Sequence, residues 1–142
     1  MFLGSYEYRI DAKGRVPLPP KFREKLKQGL VLSHGLEKCI TIYPISEWMK
    51  LAESSSSATP SRSKERRINR FKFATAFSLE PDAQGRIALP IPLRQYAEIG
   101  ENVVIIGANN YAEIWSEKNW INECDLMERE AWQISESMED HN

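Results

Sequence analysis

The chain has 142 residues, of which 42% are hydrophobic and 27% charged, and this composition excludes an intrinsically disordered protein. Because no apolar run is long enough to span a bilayer and no signal peptide begins the chain, we expect a cytoplasmic protein without a membrane partner. The net charge of −1 conceals a segregation: residues 9–27 hold seven basic against two acidic residues, and residues 117–142 hold eight acidic against two basic ones.

The first part of the chain predicts two strands around a tight turn, followed by a helix. Tyr6–Ile10 alternates large and polar residues as a strand does, Asp11–Gly14 has the composition of a turn, and Arg15–Leu18 is extended again. Pro20 suits the first turn of a helix over Lys21–Lys27, whose Phe and Leu fall on one face.

A hairpin and a linker complete the first half. Leu30–Ser33 and Cys39–Tyr43 predict two strands joined by a loop that contains Gly, and Ser46 is placed to cap a following helix. The Ser-rich stretch Glu53–Ser63 predicts a loop or linker, and Glu65–Arg70 a short helix after it.

The second half repeats this order of elements. We predict strands, turns and helices as follows: strand Phe73–Leu79, turn Pro81–Gly85, strand Arg86–Leu89, a helix from Pro92 to Gly100, strands Asn102–Ile106 and Tyr111–Trp115. After Trp120 the apolar residues recur at helical spacing, which predicts an acidic helical tail whose end is frayed beyond Ser135.

An internal repeat underlies this order. The stretch Asp11–Pro19 recurs as Asp82–Pro90, with Asp, Ala, Gly, Arg, Leu and Pro in the same places at an offset of 71 residues. The match continues beyond the turn with one inserted residue, so that Trp48 corresponds to Trp120. Each half is too short for a robust core of its own, so we expect the halves to pack on each other or on neighbouring chains.

The repeated Asp-x-x-Gly-Arg turn has a structural and a functional interpretation. Asp and Gly alone suffice to shape a tight turn, whereas the Arg is not needed for one. Its guanidinium offers five donors in a rigid fork that suits phosphates or guanine edges. Lys13 adds a cation to the first turn, while Gln84 in the second is uncharged, so we expect the first turn to dominate.

Other chemistries are weakly supported by the sequence. The two turn aspartates could be taken for a carboxylate dyad, but neither lies in an Asp-Thr/Ser-Gly sequence and each has an Arg that would keep it ionised. His34 and His141 stand alone, and Cys39 and Cys124 form no ligand motif. We therefore predict no enzyme, no cofactor and no metal.

The pattern D-A-x-G-R-[VI]-x-L-P, followed by P-x-x-[FL]-R, resembles the AbrB/SpoVT swapped-hairpin DNA-binding domains. Its two tandem copies are similar to the arrangement in the MraZ family of bacterial regulators. The resemblance implies an α+β fold: a pseudo-twofold β-barrel from two tandem repeats, with short helices and a C-terminal helical segment. On this basis we expect repeats at residues 5–47 and 76–119, a helix and Ser-rich linker at 48–75, and an acidic helical tail at 120–142.

The resemblance also implies a function. It predicts a sequence-specific DNA-binding regulator, associated with the nucleoid, that binds direct repeats in promoters of division and cell-wall genes as a closed homo-oligomeric ring of eight or more subunits. By position, the DNA-binding residues would be Arg15, Arg86, Lys13 and Arg9. Asp11, Gly14, Asp82 and Gly85 would shape the turns and orient the arginines. The alternative is an antitoxin-like or scaffold protein-interaction module of the same fold.

Overall fold

The computed structural model describes residues 1–56 and 62–140, and within these it contains eight strands and five helices. The strands are β1 (Ser5–Arg9), β2 (Arg15–Pro17), β3 (Leu30–His34), β4 (Ile40–Pro44), β5 (Phe77–Leu79), β6 (Arg86–Ala88), β7 (Asn102–Gly107) and β8 (Ala112–Ser116). The helices are α1 (Pro20–Leu26), α2 (Ile45–Ser56), α3 (Ser63–Phe73), α4 (Ile91–Tyr96) and α5 (Glu117–Asp140). The middle of the predicted linker, at 57–61, and His141 lie outside the described residues.

Six strands form one antiparallel sheet in the order β1-β7-β8-β4-β3-β5. Under the repeat, β1 corresponds to β5, β3 to β7 and β4 to β8, so this order reads the same from either edge. The first strand of each repeat pairs with a strand of the other: β1 with β7, and β5 with β3. The predicted pseudo-twofold arrangement of two interlocked α+β repeats is therefore confirmed.

A two-stranded ribbon of β2 and β6 covers the sheet. Val16 lies opposite Ile87 in this ribbon, and both side chains are fully buried. Because neighbouring residues of a strand point to opposite faces, the residues on either side of them face outward. The ribbon and the sheet enclose one core, which includes Leu18, Leu30, Leu32, Ile40, Ile42, Leu89, Ile105 and Ile114.

The two short helices α1 and α4 occupy equivalent places in the repeats. Each begins at or next to a proline, which has no backbone N–H to leave unpaired in the first helical turn. Phe22 and Leu26 of α1, and Leu93 of α4, are buried in the core. The predicted helix Lys21–Lys27 is thus confirmed with a shift of one residue, since α1 spans Pro20–Leu26.

Two predictions around the linker are wrong. The predicted strand Phe73–Leu79 is strand only from Phe77, because α3 continues to Phe73: the N–H of Ala74 donates to the carbonyl oxygen of Arg70 at 3.0 Å. Packing favours the helix, since the rings of Phe73 and Trp48 meet edge to face at 5.0 Å. The predicted linker also begins too early, because α2 extends to residue 56.

The C-terminal helix α5 is longer than predicted. It runs without interruption to Asp140, whereas the sequence predicts fraying beyond Ser135. Several apolar side chains on it are exposed, among them Ile121, Leu126 and Trp132, the last with 72% of its surface accessible. Within residues 1–56 and 62–140, no helix combines the length and apolarity that crossing a bilayer requires.

Candidate nucleic-acid interface

The first Asp-x-x-Gly-Arg turn is closed by its aspartate. Asp11 Oδ1 accepts hydrogen bonds from the backbone N–H groups of Lys13 (2.9 Å) and Arg15 (2.8 Å), and Oδ2 accepts one from Arg15 Nε at 2.8 Å. The N–H of Gly14 donates to the carbonyl oxygen of Asp11 at 3.0 Å, and its φ of +77° lies in the region that only glycine enters readily. The aspartate therefore fixes both the backbone and the arginine.

The second turn repeats this network almost bond for bond. Asp82 Oδ1 accepts from the N–H groups of Gln84 and Arg86, both at 2.9 Å, and Oδ2 accepts from Arg86 Nε at 3.0 Å. Gly85 has φ of +76° and donates to the carbonyl oxygen of Asp82 at 2.9 Å. Since the repeat preserves the arginine contact as well as the turn, it preserves a side-chain geometry and not merely a chain reversal.

These hydrogen bonds set the charge state of the turns. They lower the pKa of Asp11 below its ordinary value, chiefly through the backbone N–H of Arg15, and the pKa of Asp82 in the same way through that of Arg86. Both carboxylates are consequently ionised at neutral pH and paired with an arginine. Neither has the raised pKa that a general acid would need.

Each arginine is held at one side of its guanidinium and open at the other. Nε is bound to the aspartate, while among the described residues no acceptor is found for the Nη groups of Arg15 or Arg86. About a third of each side chain is exposed, 31% for Arg15 and 30% for Arg86. A guanidinium fixed in this way presents its two Nη groups to an external acceptor without further ordering cost.

The ribbon places both arginines on one surface. Arg15 lies opposite Ala88 and Arg86 lies opposite Pro17, while Val16 between them points into the core. The two arginines are thus diagonal neighbours on the outer face, and diagonal neighbours in antiparallel strands are about 7–8 Å apart. The structure brings together the predicted pair from two halves of the chain.

Two further arginines belong to this surface, and the sequence analysis does not assign them. Arg23 on α1 lies over Gly85, where an added Cβ would stand 2.6 Å from its Nε, and Arg94 on α4 lies over Gly14, where a Cβ would stand 2.9 Å from its Cζ. Each arginine therefore packs on the turn of the opposite repeat. The signal was present, because Arg23 and Arg94 also stand 71 residues apart, in the P-x-x-[FL]-R segment.

The remaining predicted DNA-binding residues differ in their surroundings. Lys13 is exposed at the tip of the first turn. Arg9, at the end of β1, forms an ion pair with Glu101 beside the start of β7, so its charge is already compensated. The structure therefore groups Lys13 with the two turns more clearly than Arg9, and the DNA contact of each stays a prediction.

An open groove runs between α1 and the second turn. Its volume is about 420 Å³, and Arg23, Lys27, Gln84 and Gly85 are among the residues that line it. Lys21, Lys25 and Lys27 add to the positive charge of this end of the molecule, against Glu24 on the same helix. The groove offers an anionic backbone a path beside the paired turns.

Comparison with known proteins gives a consistent result. The model of the family described as "MraZ protein, putative antitoxin-like" matches residues 1–71 and again residues 72–137. A protein from Dehalococcoides mccartyi is 51% identical over 142 residues, covering 99% of this chain and 100% of its own. Proteins from Halothermothrix orenii (41% identical, covering 99% of this chain and 98% of their own) and Thermomicrobium roseum (40%, covering 97% of each) are also similar. All three bear the name "Transcriptional regulator MraZ".

Proposed function

The chain belongs to the MraZ family, and we propose that it is a sequence-specific DNA-binding transcriptional regulator that acts on promoters through its two Asp-x-x-Gly-Arg turns. Its relatives carry the name of a regulator and not of an enzyme. The proposed targets are direct repeats in front of a cluster of division and cell-wall genes, including its own promoter. There the protein acts as a repressor, in the cytoplasm and on the nucleoid.

One observation carries this proposal: two aspartate-held arginines share the outer face of one ribbon, with open Nη groups. An Nη pair can bind a phosphate, or O6 and N7 of a guanine in the major groove. Because Asp11 and Asp82 fix the guanidinium groups in advance, binding costs little side-chain entropy. The overlying Arg23 and Arg94 add positive charge to the same surface.

We propose further that the protein binds as a closed ring of eight or more subunits. Exposed apolar side chains along α5 support assembly, since surfaces of this kind are usually covered by a partner. A ring presents one pair of turns per subunit, which suits a row of direct repeats. Individually weak contacts then add through effective concentration, so a single subunit need not bind tightly.

A gel shift with the DNA upstream of the protein's own gene, together with the native mass, tests this proposal. We expect retardation that weakens steeply with salt, because phosphate contacts release counterions. Arg15→Ala should weaken the shift at unchanged native mass, whereas Arg129→Ala on α5 serves as the matched control for loss of one exposed arginine. Equal binding by both variants and the native chain would contradict the assignment.

The second candidate is a protein-binding module, which the words "antitoxin-like" in the family description favour. Such a module would use the same fold to bind a second protein. Purification of a stoichiometric partner with the chain, combined with absence of a gel shift, would support this candidate over the regulator.

A further inference from the structure

A second buried cluster lies on the face of the central strands opposite the core. It contains Cys39, Val104, Ile106 and Trp115, and the ring of Trp120 at the base of α5 packs against it. This region is separate from the paired turns, and the proposed DNA contacts do not use it. Its chemistry therefore calls for an account of its own.

Three possible metal ligands converge in this cluster. One ligand atom each from Glu37, Cys39 and Glu113 lie within 4.8 Å of one another. The Cys39 thiol is buried, Glu113 is half-buried and Glu37 is exposed. The ring N–H of Trp115 donates to Glu113 Oε1 at 3.1 Å, which fixes the orientation of that carboxylate from outside the group. Hydrogen bonds of this kind commonly orient the ligands of metal sites.

The charges around the cluster are of one sign. Burial raises the pKa of the Cys39 thiol and, second, so does the charge of Glu113. Burial also raises the pKa of Glu113, and the nearby Glu37 and Glu123 raise it further. Among the described residues, no lysine or arginine contributes to either shift. Buried charges in proteins are normally paired or bound to a metal, and here a cationic partner is lacking.

We propose that Glu37, Cys39 and Glu113 bind one divalent metal ion of the zinc class. In a tetrahedral zinc site the ligand atoms are about 3.4–3.6 Å apart, from Zn–S of about 2.3 Å and Zn–O of about 2.1 Å. Rotation of the exposed Glu37 side chain toward the buried pair brings the three atoms to that spacing. Binding releases the thiol proton to solvent, because the thiolate is the ligand.

The site has an access route and an open position. Glu37 and Glu113 line a hollow of about 620 Å³, together with Trp115, Trp120 and Glu123. Water in this hollow supplies the fourth ligand, since the protein provides three. Bound metal would join the β3–β4 loop to β8 beneath Trp120, which makes the site a structural one that stabilises the base of α5.

Titration of the full-length, reduced and chelator-treated protein with Co²⁺ tests the proposal. We expect a thiolate-to-cobalt charge-transfer band that saturates at one ion per chain and disappears when Zn²⁺ is added. Cys39→Ser should abolish the band. Cys124→Ser, which removes the other thiol from the acidic surface of α5, should leave it intact. Absence of the band in the native chain, or its loss in Cys124→Ser alone, would overturn the proposal.

A second variant guards against misfolding of the buried cysteine mutant. Glu37 is exposed, so Glu37→Gln should fold like the native chain and bind Co²⁺ at least about tenfold more weakly, a loss typical of disturbed metal sites. Zn²⁺ at roughly 100 times its Kd should raise the melting temperature of the native chain by several degrees. Native affinity in Glu37→Gln, or no thermal shift in the native chain, would refute the site.

Discussion

Gly14→Ala separates the role of turn geometry from that of charge. The substitution leaves every charged residue in place but puts a methyl group where φ is +77° and where Arg94 packs closely. An L-residue in the left-handed region costs roughly 1–2 kcal/mol. The guanidinium of Arg94 can move aside cheaply, because its buried Nε makes no hydrogen bond. The free energy of unfolding should therefore fall by about 1–2 kcal/mol.

Thermal denaturation measures this change. For a chain of this size, about 1 kcal/mol corresponds to roughly 3–4 °C, so the melting temperature should fall by about 3–8 °C. Gly100→Ala is the matched control, because a Cβ at Gly100 meets nothing within 4 Å. Promoter affinity should also fall in Gly14→Ala but not in Gly100→Ala, since displacement of Arg94 disturbs the surface of the first turn.

The corresponding change in the second turn should be more severe. At Gly85 the added Cβ collides with Arg23, whose Nε–H donates to the carbonyl oxygen of Leu18 at 3.0 Å. Losing that bond adds about 1–3 kcal/mol to the backbone strain. If Gly14→Ala and Gly85→Ala both melt with Gly100→Ala and bind DNA as the native chain does, the packing of each arginine on the opposite turn has no energetic role.

Three further predictions follow from the paired turns. Lys13→Gln should reduce the salt dependence of DNA binding by about 0.9 in log K against log salt per lost phosphate contact, or about 3.5-fold in affinity between 50 and 200 mM salt. Gln84→Lys should increase it by as much, and unchanged slopes in both variants would remove this position from the DNA surface. In a carboxyl NMR titration, Asp11 and Asp82 should have midpoints below 3.8, so that the stability they confer is complete above the ordinary pKa and lost as pH falls through the lowered one; midpoints at or above 3.8 would contradict the hydrogen-bonding account.

Much of the site could be predicted from the repeat alone. The 71-residue offset identifies both turns, and the retained arginine points beyond a structural role, as the equal networks around Asp11 and Asp82 confirm. The offset does not show how the copies interlock, because strand pairing depends on contacts between halves. For this reason the crossed packing of Arg23 and Arg94 emerges only in the structure, although both residues lie in the repeated segment.

Other features depend on long-range packing that local patterns do not carry. The Phe-rich stretch before β5 has strand-like composition, yet it stays helical to Phe73 because Trp48 packs against it and Thr75 Oγ1 donates to the carbonyl oxygen of Phe71 at 3.1 Å. Likewise Cys39 and Glu113 are 74 residues apart in sequence and meet only because β4 pairs with β8. Sequence spacing could not have indicated a metal site there.

The central claim, that aspartate-held arginines in both turns bind DNA, is tested most directly by measuring promoter affinity for Arg15→Ala and Arg86→Ala. Fluorescence anisotropy at fixed salt should show each variant binding more weakly by about 1–3 kcal/mol, or roughly 5- to 150-fold, with melting temperature and native mass preserved. Arg15→Ala should show the larger loss, because Lys13 stands beside it. Native affinity in both variants, with the fold intact, would contradict the claim.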